Sequence, residues 1–361
     1  MAIKSDAERS GFGEESVGTG GPERRPSGEL LPHIPSESAT VAAIDCREPV
    51  EPLTIAMDLM SSPAARRAAF DEDEFATGTP LVPDDLRIDV SRETVSSLPR
   101  PAGTRTFVIA NQKGGVGKTT TAVNVAAGLA MGGLSVLVVD MDPQGNASTA
   151  LGVEHPEGVP GTYEAVVDGV PIEELIQRCP DLEGLWVLPA TIDLAGAELG
   201  LVATVSRETK LQGALNRFFD QYYVDYVLID CPPSLGLLTL NALVAAQEIM
   251  IPIQCEYYAL EGVTQLLRTI DLVKGRLNDG LKLSTVLLTM YDARTNLSAQ
   301  VAEQVRTHFK DETLGTAIPR SVRVAEAPSY GQSVLSYHLA SAGAQAYLRA
   351  AQEIAERGAK Q

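Results

Sequence analysis

A glycine-rich loop, Gln112-Lys113-Gly114-Gly115-Val116-Gly117-Lys118-Thr119-Thr120, leaves this chain few architectures to choose from. The apolar run Thr106–Asn111 before it reads as a strand, and Lys118–Met131 after it carries helical periodicity. In that order, backbone N–H groups and a helix N-terminus converge on one anion, and glycine admits the close approach. The phosphates of a nucleotide are the expected ligand. Lys118 is expected to reach the β- and γ-phosphates, Thr119 to give its hydroxyl to Mg²⁺, and Thr120 to face the α-phosphate. Gly114, Gly115, Val116 and Gly117 form the cradle between them.

Two more strands end in carboxylates. Ser135–Asp140 runs into Asp140-Met141-Asp142-Pro143-Gln144-Gly145-Asn146, and strand alternation is expected to point Asp140 and Asp142 the same way. Tyr226–Asp230 delivers Asp230 directly before Cys231-Pro232-Pro233, which fits a Walker B carboxylate holding Mg²⁺ through water. Carboxyl ends of strands are where open α/β sheets bind ligands. Cys231 lies beside this site without a Cys–His nucleophile set, so it reads as packing.

Leu185–Pro189, Ile249–Ile253 and Lys282–Met290 read as further strands. Leu237–Ala246, Ala259–Leu277, Leu297–Phe309 and Ala340–Arg357 read as helices. Alternation of short apolar runs with helical patterns predicts an α/β fold: a doubly wound, mainly parallel sheet with helices on both faces. One domain over residues 105–361 holds all of it, with no internal repeat.

Residues 1–104 have a different texture. They hold 10 Lys+Arg against 19 Asp+Glu, half of the net charge of −18, and eleven prolines between Pro22 and Pro101. Such a segment buries too little apolar surface to offset backbone ordering of about 1–2 kcal/mol per residue, and is expected to be mostly disordered. Within it, Leu53–Phe70 is a possible short helix, and Asp71-Glu72-Asp73-Glu74 reads as a solvated linker or a docking segment. The acidity argues against nucleic acid unless cations cluster locally. Cys46, Cys179, Cys231 and Cys255 lack metal spacing. No apolar run is long enough for a membrane span or a signal peptide, so a cytoplasmic protein is expected.

The loop departs from the usual phosphate-binding pattern: Gln112 stands where the first glycine belongs, and Lys113 is an additional lysine. Here the chain resembles the ParA/MinD group of ATPases. Over residues 105–357 it resembles the ParA/Soj partition ATPases in particular, through the loop, the segment Asp140–Asn146, Ile229–Gly236, Pro252–Gly262 and Ile318–Arg323. The resemblance implies a Mg²⁺-dependent ATP hydrolase with slow basal turnover. It implies that Lys113 reaches across an ATP-bound homodimer, that Asp142 orients or activates the attacking water, and that Asp140 lies nearer the metal. It further implies that Pro319 lines the adenine pocket, that Arg294 and Arg323 contact double-stranded DNA without sequence preference, and that a ParB-like centromere-binding protein stimulates hydrolysis on the nucleoid. The acidic extension departs from the family, and polar tethering is a guess at its role. A Min-type membrane cycler would instead carry a basic, bulky amphipathic C-terminal helix, and an iron–sulfur relative a suitable cysteine pair. Residues 350–361 are poor in the former, and no cysteines are spaced for the latter. A small-molecule kinase lacks a legible acceptor pocket.

Overall fold

The computed structural model describes residues 97–360, apart from residues 203 and 257–260. The expectations for Leu53–Phe70, the acidic cluster at 71–74 and Cys46 lie outside the described residues. Packing on the domain reaches back past Arg105. The Leu98 side chain fills the space left by the missing Cβ of Gly132, Leu98 N–H donates to the Gly132 carbonyl, and Arg100 pairs with Asp225 at 2.9 Å.

Eight strands form one sheet, in the order β3-β4-β2-β5-β1-β6-β7-β8. They are β1 (Arg105–Ile109), β2 (Val136–Asp140), β3 (Gln177–Arg178), β4 (Leu185–Leu188), β5 (Tyr226–Asp230), β6 (Glu248–Gln254), β7 (Lys282–Tyr291) and β8 (Thr313–Pro319). Only the β3–β4 pair is antiparallel. All residues of β1, β2 and β5 are buried, as expected of central parallel strands covered on both faces; this is why they read as unbroken apolar runs.

The helices that matter below are α1 (Lys118–Met131), α2 (Asn146–Ala150), α3 (Ala197–Val202), α4 (Lys210–Phe219), α5 (Leu237–Ala245), α6 (Glu261–Arg276), α7 (Asn296–His308), α8 (Val322–Glu326), α9 (Val334–Tyr337) and α10 (Ala342–Ala359). Each face of the sheet has its own core. Leu211, Leu215, Leu243, Leu266 and Val305 from α4–α7 pack on one face, and Val125 and Leu129 of α1 pack with Tyr347 and Ile354 of α10 on the other. Gly128 sets the α1–α10 spacing, because a Cβ there would stand 2.7 Å from the Ala351 methyl.

At the amino edge of the sheet, Arg105 forms a bidentate pair with Glu248, both bonds 2.7 Å, and its third nitrogen reaches the Ile354 carbonyl at 3.0 Å. This ties β1, β6 and α10 together. Removing either charge would strand the other in the interior, at about 3–5 kcal/mol.

Candidate active site

The carboxyl edge of the central strands is level. In the ladder register Ile109 pairs with Asp230, and Asp230 with Asp140, so the loop after β1 and the acidic ends of β5 and β2 start from one row. Gly115 and Gly117 hold left-handed φ values of 74° and 89°, which favour glycine, and Gly117 caps α1. Thr289, on β7, donates through Oγ1 to the Val116 carbonyl at 2.9 Å and braces the loop from the side.

Lys118 is only 7% exposed, and its Nζ lies 3.5 Å from the Lys113 carbonyl oxygen. Burial pulls its pKa below the ordinary lysine value, opposed by the charges of Asp230 and Asp142. An ammonium placed so, with anions already near, gains when phosphate oxygens arrive.

Asp230 is fully buried, and neither carboxylate oxygen has a hydrogen-bond partner among the described residues. Burial, then the charges of Asp140 and Asp142, push its pKa well up, while Lys118 and the Thr119 hydroxyl, which is near but outside hydrogen-bond geometry, act the other way. A buried carboxylate left unbonded is costly, and a divalent cation resolves that cost. Thr119 and Asp230 thus fit a Mg²⁺ ion. Among the described residues no group of three or more His, Cys, Asp or Glu is placed to hold a metal alone, which suits an ion completed by phosphate oxygens and water.

Asp140 differs from Asp230 in this respect. One oxygen accepts from Asp142 N–H at 3.1 Å; the other accepts from Ser148 N–H and Oγ at 2.9 and 2.7 Å. Burial still raises its pKa to about 6. Both oxygens accept bonds from the turn that leads into α2, which is a capping role. Asp142 lies beyond the end of β2, so the turn places it and strand alternation does not. It is 8% exposed and accepts from Gln144 N–H at 3.0 Å.

The Lys113 side chain is 36% exposed and pairs with Glu256 at 3.4 Å. Its N–H donates to Asn111 Oδ1, and Asn111 Nδ2 donates to the Pro252 carbonyl. Pro319 lines a cavity of about 410 Å³ together with Gly117, Thr120, Met290 and Ile318. Met290 has φ of 52°, a left-handed conformation costing about 1–3 kcal/mol, at the wall of that cavity. Arg294 follows the end of β7, and Arg323 lies in α8, whose Val322 and Val324 line that same cavity. Arg294 makes a forked pair with Asp292, both bonds 2.9 Å, and Arg323 pairs with Glu326 at 3.1 Å. Cys179, Cys231 and Cys255 are buried free thiols, and burial raises the pKa of each.

A family profile described as an AAA domain matches residues 104–283. The sporulation initiation inhibitor protein Soj of Bacillus subtilis is 52% identical over 70% of this chain and 98% of its own length. The chromosome partitioning protein ParA of Myxococcus xanthus is 51% identical, over 70% of this chain and 88% of its own. This chain belongs to the ParA/Soj family. The solved structure of cobyrinic acid a,c-diamide synthase from Mycobacterium smegmatis, with bound ADP and magnesium, is 41% identical. It covers 69% of this chain and 92% of its own, with a TM-score of 0.59.

Within the ParA/Soj frame, α10 is a core element: Tyr347, Ala350, Ala351 and Ile354 are buried. It is not the free amphipathic helix that a membrane cycler requires. No described helix is long and apolar enough to cross a membrane. Sequence reasoning missed three supports of the site: Thr289, Asn111 and Ser148. Each is a polar residue next to or within an apolar strand or helix start. That is the only local signal they give.

Proposed function

We propose that this chain is an ATP-dependent partition switch in which ATP binding closes a homodimer and hydrolysis opens it. The observation that carries the reading is the contrast between two lysines of one loop: Lys118 is buried at the phosphate cradle, while Lys113 stands half-exposed at its rim. Within one protomer that second cation meets the surface carboxylate of Glu256. Placed across a dimer, it meets the γ-phosphoryl oxygens as they gain charge.

In this mechanism the loop N–H groups, Lys118 and Thr120 bind the triphosphate, and Pro319 packs beside the base. Thr119 and Asp230 would hold Mg²⁺, which when bound would neutralise phosphate charge. Asp142 orients the attacking water and takes its proton. Arg294 and Arg323 contact phosphates of double-stranded DNA, which requires only local cations, so an acidic protein can do it. A ParB-like partner accelerates hydrolysis on the nucleoid, within the cytoplasm. The ATPase domain at 105–361 carries Leu98 and Arg100 packed on it, and the acidic extension lies before them.

Steady-state ATP hydrolysis, measured alone, with DNA, and with DNA plus a candidate ParB-like protein, tests this reading. Slow basal turnover raised when both are present supports it; turnover indifferent to both overturns it.

A further inference from the structure

Lys113 is held in place at three atoms. Its N–H donates to Asn111 Oδ1 at 3.0 Å, its carbonyl accepts from Lys118 Nζ at 3.5 Å, and its own Nζ meets Glu256 Oε2 at 3.4 Å. Glu256 is itself fixed. Its N–H donates to the Gln254 carbonyl at 2.8 Å, and its second oxygen accepts from Gln254 Nε2 at 2.6 Å. Gln254 is the last residue of β6, and Asn111 is anchored to Pro252 of that same strand. Backbone and side chain of Lys113 are therefore both moored to the end of β6.

Two of these moorings compete with nucleotide. Phosphate oxygens draw on Lys118, whose ammonium otherwise rests on the Lys113 carbonyl. The γ-phosphoryl group of a partner protomer then competes with Glu256 for the N–H donors and charge of the Lys113 ammonium.

We infer that Glu256 is a positioning residue that retains Lys113 on its own protomer and thereby sets the ATP concentration at which the dimer closes. The inference rests on the proposed action of Lys113 across the dimer. Both side chains are partly exposed, 36% and 50%, so the pair is of the weak surface kind, and its loss should shift an equilibrium by about two- to fivefold. That is a modest bias in favour of the open state, suited to a switch that must reopen after hydrolysis.

The test is an ATP titration of the full chain followed by analytical ultracentrifugation, with ATP affinity measured separately by fluorescence. Glu256→Gln is expected to lower the ATP concentration for half-maximal dimerisation by about two- to fivefold and to leave ATP affinity of the monomer unchanged. Glu256→Ala should do the same, which guards against a peculiarity of the amide. Lys113→Ala combined with Glu256→Gln should not dimerise. An unchanged or higher midpoint for Glu256→Gln, with Lys113→Ala still unable to dimerise, overturns the role of Glu256 and leaves the trans-lysine reading intact. Normal dimerisation of Lys113→Ala alone removes that reading and this inference together. Dimerisation restored in the double variant shows that Glu256 acts without Lys113, and also overturns it.

Discussion

Asp140 and Asp230 face each other in register on adjacent strands, yet only Asp140 has its oxygens filled. Two buried carboxylates side by side repel unless one is tied down and the other is neutralised. Asp140 is tied by Ser148 and the Asp142 N–H. Asp230 is the one that a cation would neutralise.

Asp230→Ala should therefore uncouple nucleotide from metal. The variant is expected to fold, since an unbonded buried carboxylate is removed, but to lose the additional thermal stabilisation that Mg²⁺ gives over nucleotide alone. Melting curves with ADP, with and without Mg²⁺, check this; an undiminished Mg²⁺ increment refutes the assignment.

Asp140 has a distinct pH signature. Its pKa is raised to about 6 from 3.8, so the folded state binds its proton more tightly than the unfolded chain does. Its ionisation then opposes folding, an effect absent below about pH 4 and complete above about pH 6. In the nucleotide-free protein, Asp140→Asn should flatten the pH dependence of melting temperature over that window. Identical slopes in variant and wild type would discount it.

Lys118→Ala should abolish ATP binding, whereas Lys113→Ala should bind ATP and fail to dimerise. Size-exclusion chromatography with ATP distinguishes the two. The contrast follows from burial: one lysine lies inside the cradle and the other stands on its rim.

Asp142→Ala should bind ATP but turn over at least about 100-fold more slowly, the scale of a lost proton-transfer or water-orienting group. Single-turnover hydrolysis measures it, and a normal rate rules it out.

Arg294→Ala and Arg323→Ala should each weaken DNA binding evenly across sequences and reduce the salt slope by about 1. Because Asp292 grips Arg294 through two bonds, Asp292→Asn should shift DNA affinity the opposite way. Filter binding over a salt series reads both; unchanged binding at low salt for both arginine variants would sink the DNA surface.

Much of this was legible in the sequence. The helix predicted over Lys118–Met131 and the strand over Tyr226–Asp230 match the structure end to end, because a buried central strand and a long alanine-rich helix leave little room for another reading. The strand over Thr313–Pro319 was missed: Gly315 breaks its pattern, and as the edge strand it has one neighbour and is only partly buried. The helix over Lys210–Phe219 was missed although Leu211, Ala214, Leu215 and Phe218 line one face; Gly213 interrupts it and no side chain caps its start. At the site, the residues that act through their own motif were readable. Thr289 was not, because its partner Val116 lies 173 positions away and nothing local announces the bond.

The end of β7 serves two surfaces. Thr289 holds the phosphate loop, Met290 walls the nucleotide cavity, the Tyr291 carbonyl accepts from Arg320 N–H, and Asp292 clamps Arg294. Four consecutive residues thus touch, in turn, the nucleotide side and the arginine surface. For a lineage under selection this is a shared inheritance: a substitution that retunes the hold on ATP is transmitted along one short stretch of backbone to the proposed hold on DNA. The two affinities are then expected to drift together among descendants of this chain, and independent adjustment would have to arise elsewhere in the fold.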